Sequence, residues 1–125
     1  MRLLLDTHVL LWSLQDDLKL SALAREKILA ARPTYVSSAS IWEIAIKVSV
    51  GKLDVDLDDL LGQIAQIGLR ELRVSHKHAA KVKELPLIHR DPFDRLLIGQ
   101  AVSESLTLLT TDRVLANYST LVELI

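Results

Sequence analysis

A three-layer α/β/α fold around a five-stranded, mostly parallel sheet is what this sequence predicts, and three observations carry that expectation. Short apolar runs alternate with stretches whose apolar residues recur at helical spacing, the pattern of repeated strand–helix units. The chain has 125 residues, half of them hydrophobic, which suits a single domain over residues 1–125 with a buried core. No internal repeat or low-complexity linker interrupts it: Pro33, Pro86 and Pro92 are isolated, and the four glycines form no phosphate-cradling loop.

Each element has its own signal. Arg2 to Leu5 reads as a first buried strand stopping at Asp6-Thr7, and His8 to Leu14 as a short helix. Ser21 is a plausible N-cap for a helix to Ala31, with Leu23, Ile28 and Ala31 near one face. Thr34 to Ser37, after helix-stopping Pro33, is β-rich and forms the second strand. Ala39 to Val50 is apolar nearly all round, which predicts a buried helix ending near Gly51. Acidic residues introduce a helix over Leu57 to Ile67, closed by Gly68. Leu69 to Val74 is the third strand, and His76 to Leu85 a helix stopped by Pro86. Asp91 caps a helix from Pro92 to Ser103, with proline at its favoured first position. Leu106 to Leu109, Asp112 to Asn117 and Leu121 to Leu124 complete the chain as strand, short helix and strand.

Composition limits the function classes. Cysteine is absent, which excludes disulfide frameworks, thiol chemistry and cysteine-based zinc sites. No apolar run reaches the roughly 18–20 residues of a membrane span, and Leu3-Leu4-Leu5 meets Asp6 too soon for a secretory signal. A cytoplasmic protein is the expectation. Fifteen basic against sixteen acidic residues rule out a globally basic polyanion binder, so any nucleic acid must be met through a local patch or a bound cation.

Four carboxylates stand where chemistry would need them. Asp6 follows the first strand, Asp112 follows the fourth, and Glu43 lies early on the helix after the second. Asp94 has Leu97, Ile98 and Ala101 at helical spacing, which aims it toward the sheet. Each also has a plain explanation: Asp6 and Asp112 can cap helices, Asp94 is an acidic third position behind the Asp91 cap that the helix dipole favours, Ser40-x-x-Glu43 matches a capping box, and Glu43 can pair with Lys47. As a set they are harder to dismiss, because all strand ends of a parallel sheet face one edge. Carboxylates gathered there repel unless a cation intervenes, and an all-oxygen set suits Mg²⁺ or Mn²⁺. A metal held this way activates water for phosphodiester hydrolysis. Lys47, Arg90, Arg95 and Arg113 lie close enough in sequence to hold flanking phosphates. His8 and His89 are read as surface or packing residues, Asp91 as a structural cap, and Trp12 and Trp42 as core or interface anchors.

The segments Leu3-Leu-Leu-Asp6-Thr7-His8-Val-Leu-Leu-Trp12, Ser37-x-x-Ser40-Ile-Trp-Glu43-Ile-Ala-Ile-Lys47, His89-Arg-Asp91-Pro-Phe-Asp94-Arg-Leu-Leu-Ile and Leu-Leu-Thr-Thr-Asp112 together resemble the PIN-domain ribonucleases, and among them the VapC-type toxins of bacterial toxin–antitoxin pairs. The resemblance spans essentially the whole chain. It implies a sheet ordered 3-2-1-4-5, and metal-binding, catalytic acids at Asp6, Glu43, Asp94 and Asp112 supported by the Thr110 hydroxyl. It further implies an Mg²⁺- or Mn²⁺-dependent endoribonuclease, a homodimer, and an antitoxin whose segment lies across the active-site groove.

Two other function classes compete. A catalytically idle RNA- or protein-binding module of the same fold would keep the architecture without needing the acids. A phosphoacceptor signalling domain would want paired acids after the first strand and an Asp ending the third, where this chain has Arg73-Val74-Ser75.

Overall fold

The computed structural model describes residues 2–31 and 33–125. Five strands, β1 (Leu3–Leu5), β2 (Thr34–Ser37), β3 (Arg70–Leu72), β4 (Thr107–Thr110) and β5 (Val122–Leu124), pair in parallel in the order β3-β2-β1-β4-β5. Among the described residues six α-helices connect them: α1 (Thr7–Leu14), α2 (Ala22–Ala30), α3 (Ser38–Ser49), α4 (Leu57–Gln66), α5 (His76–Lys81) and α6 (Pro92–Glu104). All six start on a serine or aspartate whose side chain accepts a backbone N–H of the first turn: Asp6, Ser21, Ser37, Asp56, Ser75 and Asp91.

Alternation along the strands builds three layers. Leu3 and Leu5 of β1 point into a core with Val9 and Leu10 of α1, Ile28 of α2, Ile44 of α3 and Leu60 of α4. Leu4, between them, points to the opposite face and packs with Leu97, Ile98 and Ala101 of α6. Central strand β1 is fully buried on both sides, as a strand covered by helices above and below must be.

Several local expectations are corrected. The helix after β2 is not buried all round: Trp42, Ile46 and Val50 are exposed and lie four residues apart, forming an outward apolar stripe. Ser37 caps that helix, so Ser40 and Glu43 form no capping box and are free for other contacts. Leu23 faces solvent while Ala24 and Ile28 face the core. The β3 strand covers only residues in register with Tyr35 to Ser37 of its short partner. The α5 helix ends at Lys81 and continues as a 3₁₀ turn, Val82–Glu84, because Pro86 holds Leu85 in extended backbone. The last helix shrinks to a 3₁₀ turn at Leu115–Asn117, and β4 runs one residue further, taking in Thr110.

Candidate functional site

Because all strands run one way, their carboxyl ends meet at a single edge, and the site is assembled there. Leu5 of β1 stands beside Leu109 of β4. The Asp6 N–H donates to the Leu109 carbonyl at 3.1 Å, carrying the ladder one step further and setting Asp6 alongside Thr110. The Thr110 hydroxyl donates a short hydrogen bond to Asp6 Oδ2 and accepts the Asp112 N–H at 3.1 Å. One hydroxyl thereby ties together the segments carrying two of the acids. Asp6 Oδ1 accepts the Val9 N–H at 2.8 Å, so this residue caps α1 and presents its carboxylate at the site together.

Glu43 arrives from α3 and is buried. Its Oε1 accepts the Thr7 hydroxyl at 2.8 Å, Thr7 lies 3.0 Å from the Ser40 hydroxyl, and Oε2 pairs with Lys47 Nζ at 3.1 Å. Asp94 sits in the first turn of α6, where Asp91 Oδ1 accepts the N–H of Phe93 and of Asp94. His89 Nε2 lies 3.3 Å from Asp94 Oδ2 and 3.3 Å from Asp112 Oδ2. These three atoms all fall within 4.8 Å of one another.

The acids feel one another's charge, although among the described residues only Asp94 and Asp112, with His89, reach metal-holding spacing, and Asp6 and Glu43 do not. Burial, reinforced by the negative charges of Asp91, Asp6 and Glu43 and opposed by His89, pushes the Asp94 carboxyl up to about 7. Burial also raises Asp6, with Asp112 adding to it, against the hydrogen bonds from Thr110 and Val9. Carboxylates so destabilised in their charged form call for a countercharge. An oxygen donor set at this edge fits a small hard divalent cation of the Mg²⁺ or Mn²⁺ kind.

Of the basic residues singled out beforehand, Arg90 and Arg113 are exposed and Lys47 is paired with Glu43. Arg95 is a correction. Its guanidinium is buried and donates to the carbonyls of Pro86, Val82 and Leu85 and to the Tyr118 hydroxyl, so it holds the loop before α6. His8 is exposed, its ring 6.0 Å from that of Trp12. Trp12 packs on the core, whereas Trp42 stands edge-on to Phe93 at 5.1 Å with most of its surface in solvent. Sequence reasoning missed Thr7 and Ser40 as partners of Glu43, and it set aside His89, which the fold inserts between two acids. The His-x-Asp spacing before α6 is the available signal, since Asp91 fixes the turn that carries the ring.

The PIN domain profile matches residues 3–121 of this sequence. The chain belongs to the PIN domain family. Solved structures share the fold: VapBC2 from Rickettsia felis bound to a promoter DNA fragment has a TM-score of 0.73 at 16% identity, covering 100% of this chain and 98% of that one. DNA-bound VapBC from Salmonella typhimurium gives 0.70 at 15% identity, over 100% and 97% of the two chains. A toxin–antitoxin complex from Klebsiella pneumoniae gives 0.63 at 16% identity, over 96% and 94%. No curated protein sequence matches the chain. The PIN fold thus accounts for the sheet order and for the edge on which the acids gather. Among the described residues no helix is long and apolar enough to cross a membrane.

Proposed function

We propose that this PIN domain, residues 1–125 acting as one unit, is a metal-dependent endoribonuclease and the toxin of a VapC-type toxin–antitoxin pair in the cytoplasm. The observation that carries the reading is the convergence of Asp94, Asp112 and His89 within 4.8 Å, next to a hydroxyl-tethered Asp6. Asp6, Glu43, Asp94 and Asp112 would hold Mg²⁺ or Mn²⁺. The bound ion would supply a water of lowered pKa and offset the charge that grows on the phosphorus oxygens.

The chain's own residues do the rest. Thr110 holds Asp6 and Asp112 in register, Thr7 and Lys47 fix both oxygens of Glu43, and Arg90 and Arg113, exposed and next in sequence to His89 and Asp112, would hold neighbouring phosphates. The outward stripe of Trp42, Ile46 and Val50, with Phe93 against Trp42, offers apolar surface beside the acidic pocket. A cognate antitoxin segment covering the pocket would bury that stripe. The similar structure described as a toxin–antitoxin complex supports such a partner. A homodimer is part of the same reading; light scattering should give twice the 14.0 kDa of the chain, and a clean monomer at micromolar concentration removes that part.

The phosphoacceptor alternative is excluded by topology: receiver domains place their third strand centrally, in the order 2-1-3-4-5, whereas β3 is an edge strand here. The deciding experiment compares wild type with Asp6→Asn on RNA at saturating Mg²⁺ or Mn²⁺. Cleavage should fall at least about a hundredfold, the scale of removing one charge-stabilising group from an active site. Equal rates refute the assignment. Failure of the wild-type protein to cut any RNA would favour the idle binding module.

A further inference from the structure

We propose that His89 is a placeholder at the acidic pocket: its Nε2–H occupies the Asp112 carboxylate oxygen a cation would take, and the ring has to yield for metal to bind. This rests on the metal-dependent reading above and names the side chain that controls entry to the site.

The ring's tautomer is fixed by its other nitrogen. The Asp91 backbone N–H points at His89 Nδ1 from 3.0 Å. A backbone N–H can only donate, so Nδ1 accepts, and the hydrogen of the neutral ring is on Nε2. That nitrogen therefore donates its hydrogen to Asp112 Oδ2 at 3.3 Å, with Asp94 Oδ2 at ion-pair distance, 3.3 Å, and has no lone pair for a metal. Turning His89 into a ligand through Nε2 would move the hydrogen to Nδ1 and set it against the Asp91 N–H.

At Asp112 the contested oxygen is also the one left over. Asp112 Oδ1 accepts the Val114 N–H at 3.0 Å, so Oδ2 is the atom free to bind an ion, and His89 covers it. The His89 backbone is itself secured. Its N–H donates to the Tyr118 hydroxyl at 2.7 Å, and Tyr118 is in turn held by buried Arg95 at 3.2 Å. The loop thus presents the ring from a fixed base, while the side chain keeps 23% of its surface in solvent, toward which it can turn. A group that donates to the oxygen a cation would take competes with that cation, and removing it strengthens metal binding.

The test is Mn²⁺ calorimetry on the whole chain. His89→Ala should lower the Mn²⁺ Kd by about tenfold, the scale of one hydrogen bond to a charged acceptor. His89→Gln, which returns an N–H near the position of Nε2, should stay within about threefold of wild type on the same scale. Weaker binding in His89→Ala would make His89 a ligand, unchanged binding would make it a bystander, and equal tightening in His89→Gln would mean the donor is not the cause; each overturns the proposal. Nitrogen NMR of the wild-type ring without metal needs no variant: it should show the Nε2–H form, and the Nδ1–H form would refute the inference. If wild type takes up neither Mn²⁺ nor Mg²⁺, the metal reading fails and the placeholder with it. If wild type binds and only the variants disagree, the placeholder alone falls.

Discussion

Replacing Asp94 with asparagine removes the charge this fold tolerates least. The carboxyl is pushed up to about 7 from an ordinary 3.8, first by burial and then by the charges of Asp91, Asp6 and Glu43. Its side chain is only 22% exposed, so solvent screens little of that strain. Keeping it ionised at pH 8 costs about 4 kcal/mol, at about 1.4 kcal/mol per tenfold change in proton affinity. Asparagine has the same shape, can accept from His89 and carries no charge. Without metal, Asp94→Asn should therefore melt up to about 15 °C higher than wild type at pH 8, at about 4 °C per kcal/mol for a chain this size. The sign can be followed with pH. The folded pKa lies above the unfolded one, so the folded state keeps a proton the unfolded state has lost between about pH 4 and 7, and wild-type stability falls as pH rises through that window. The advantage of asparagine should grow across the same range and be nearly gone at pH 4. Calorimetric melting in EDTA at several pH values measures it. A variant less stable than wild type at pH 8, or a gain independent of pH, refutes the electrostatic account.

Thr110→Val keeps a β-branched strand residue but removes the hydroxyl that donates to Asp6 and accepts from the Asp112 N–H. Cleavage should fall at least about tenfold while the fold survives, and the acid limb of the activity profile should move to higher pH, since that hydrogen bond holds the Asp6 pKa down. Arg95→Ala removes the guanidinium that clamps the Val82 and Pro86 carbonyls together, leaving them only the backbone N–H of Leu85 and Ile88. Melting should fall by about 10 °C, for a loss of about 3 kcal/mol; an unchanged melting point with a raised KM for RNA would instead make Arg95 a phosphate contact.

Much of this architecture was legible because local and global signals agree. The alternation of apolar runs with capped helices locates every strand, and the Ser and Asp caps at Ser21 and Asp91 fall where sequence rules put them. The sheet order was not in the periodicity; it came with the family resemblance, and hydrogen-bond register then explains why Asp6 stands beside Thr110. What escaped has a physical cause in each case. The α3 helix reads as buried because its outer stripe of Trp42, Ile46 and Val50 is as apolar as its inner face, and composition does not distinguish the two faces. Arg95 resembles a surface cation until the 3₁₀ turn at Val82–Glu84 folds its carbonyls back over it. His89 belongs to a loop with no periodicity, and only the Asp91 cap and the Tyr118 hydroxyl aim its ring.

The most direct check on the central claim is titration of the metal-free chain with Mn²⁺ at pH 8, alongside the Asp94→Asn/Asp112→Asn double variant. Saturable uptake by the wild-type protein, lost in the variant while its fold persists, is the expected result. Equal uptake by both proteins, or none by either, would contradict it.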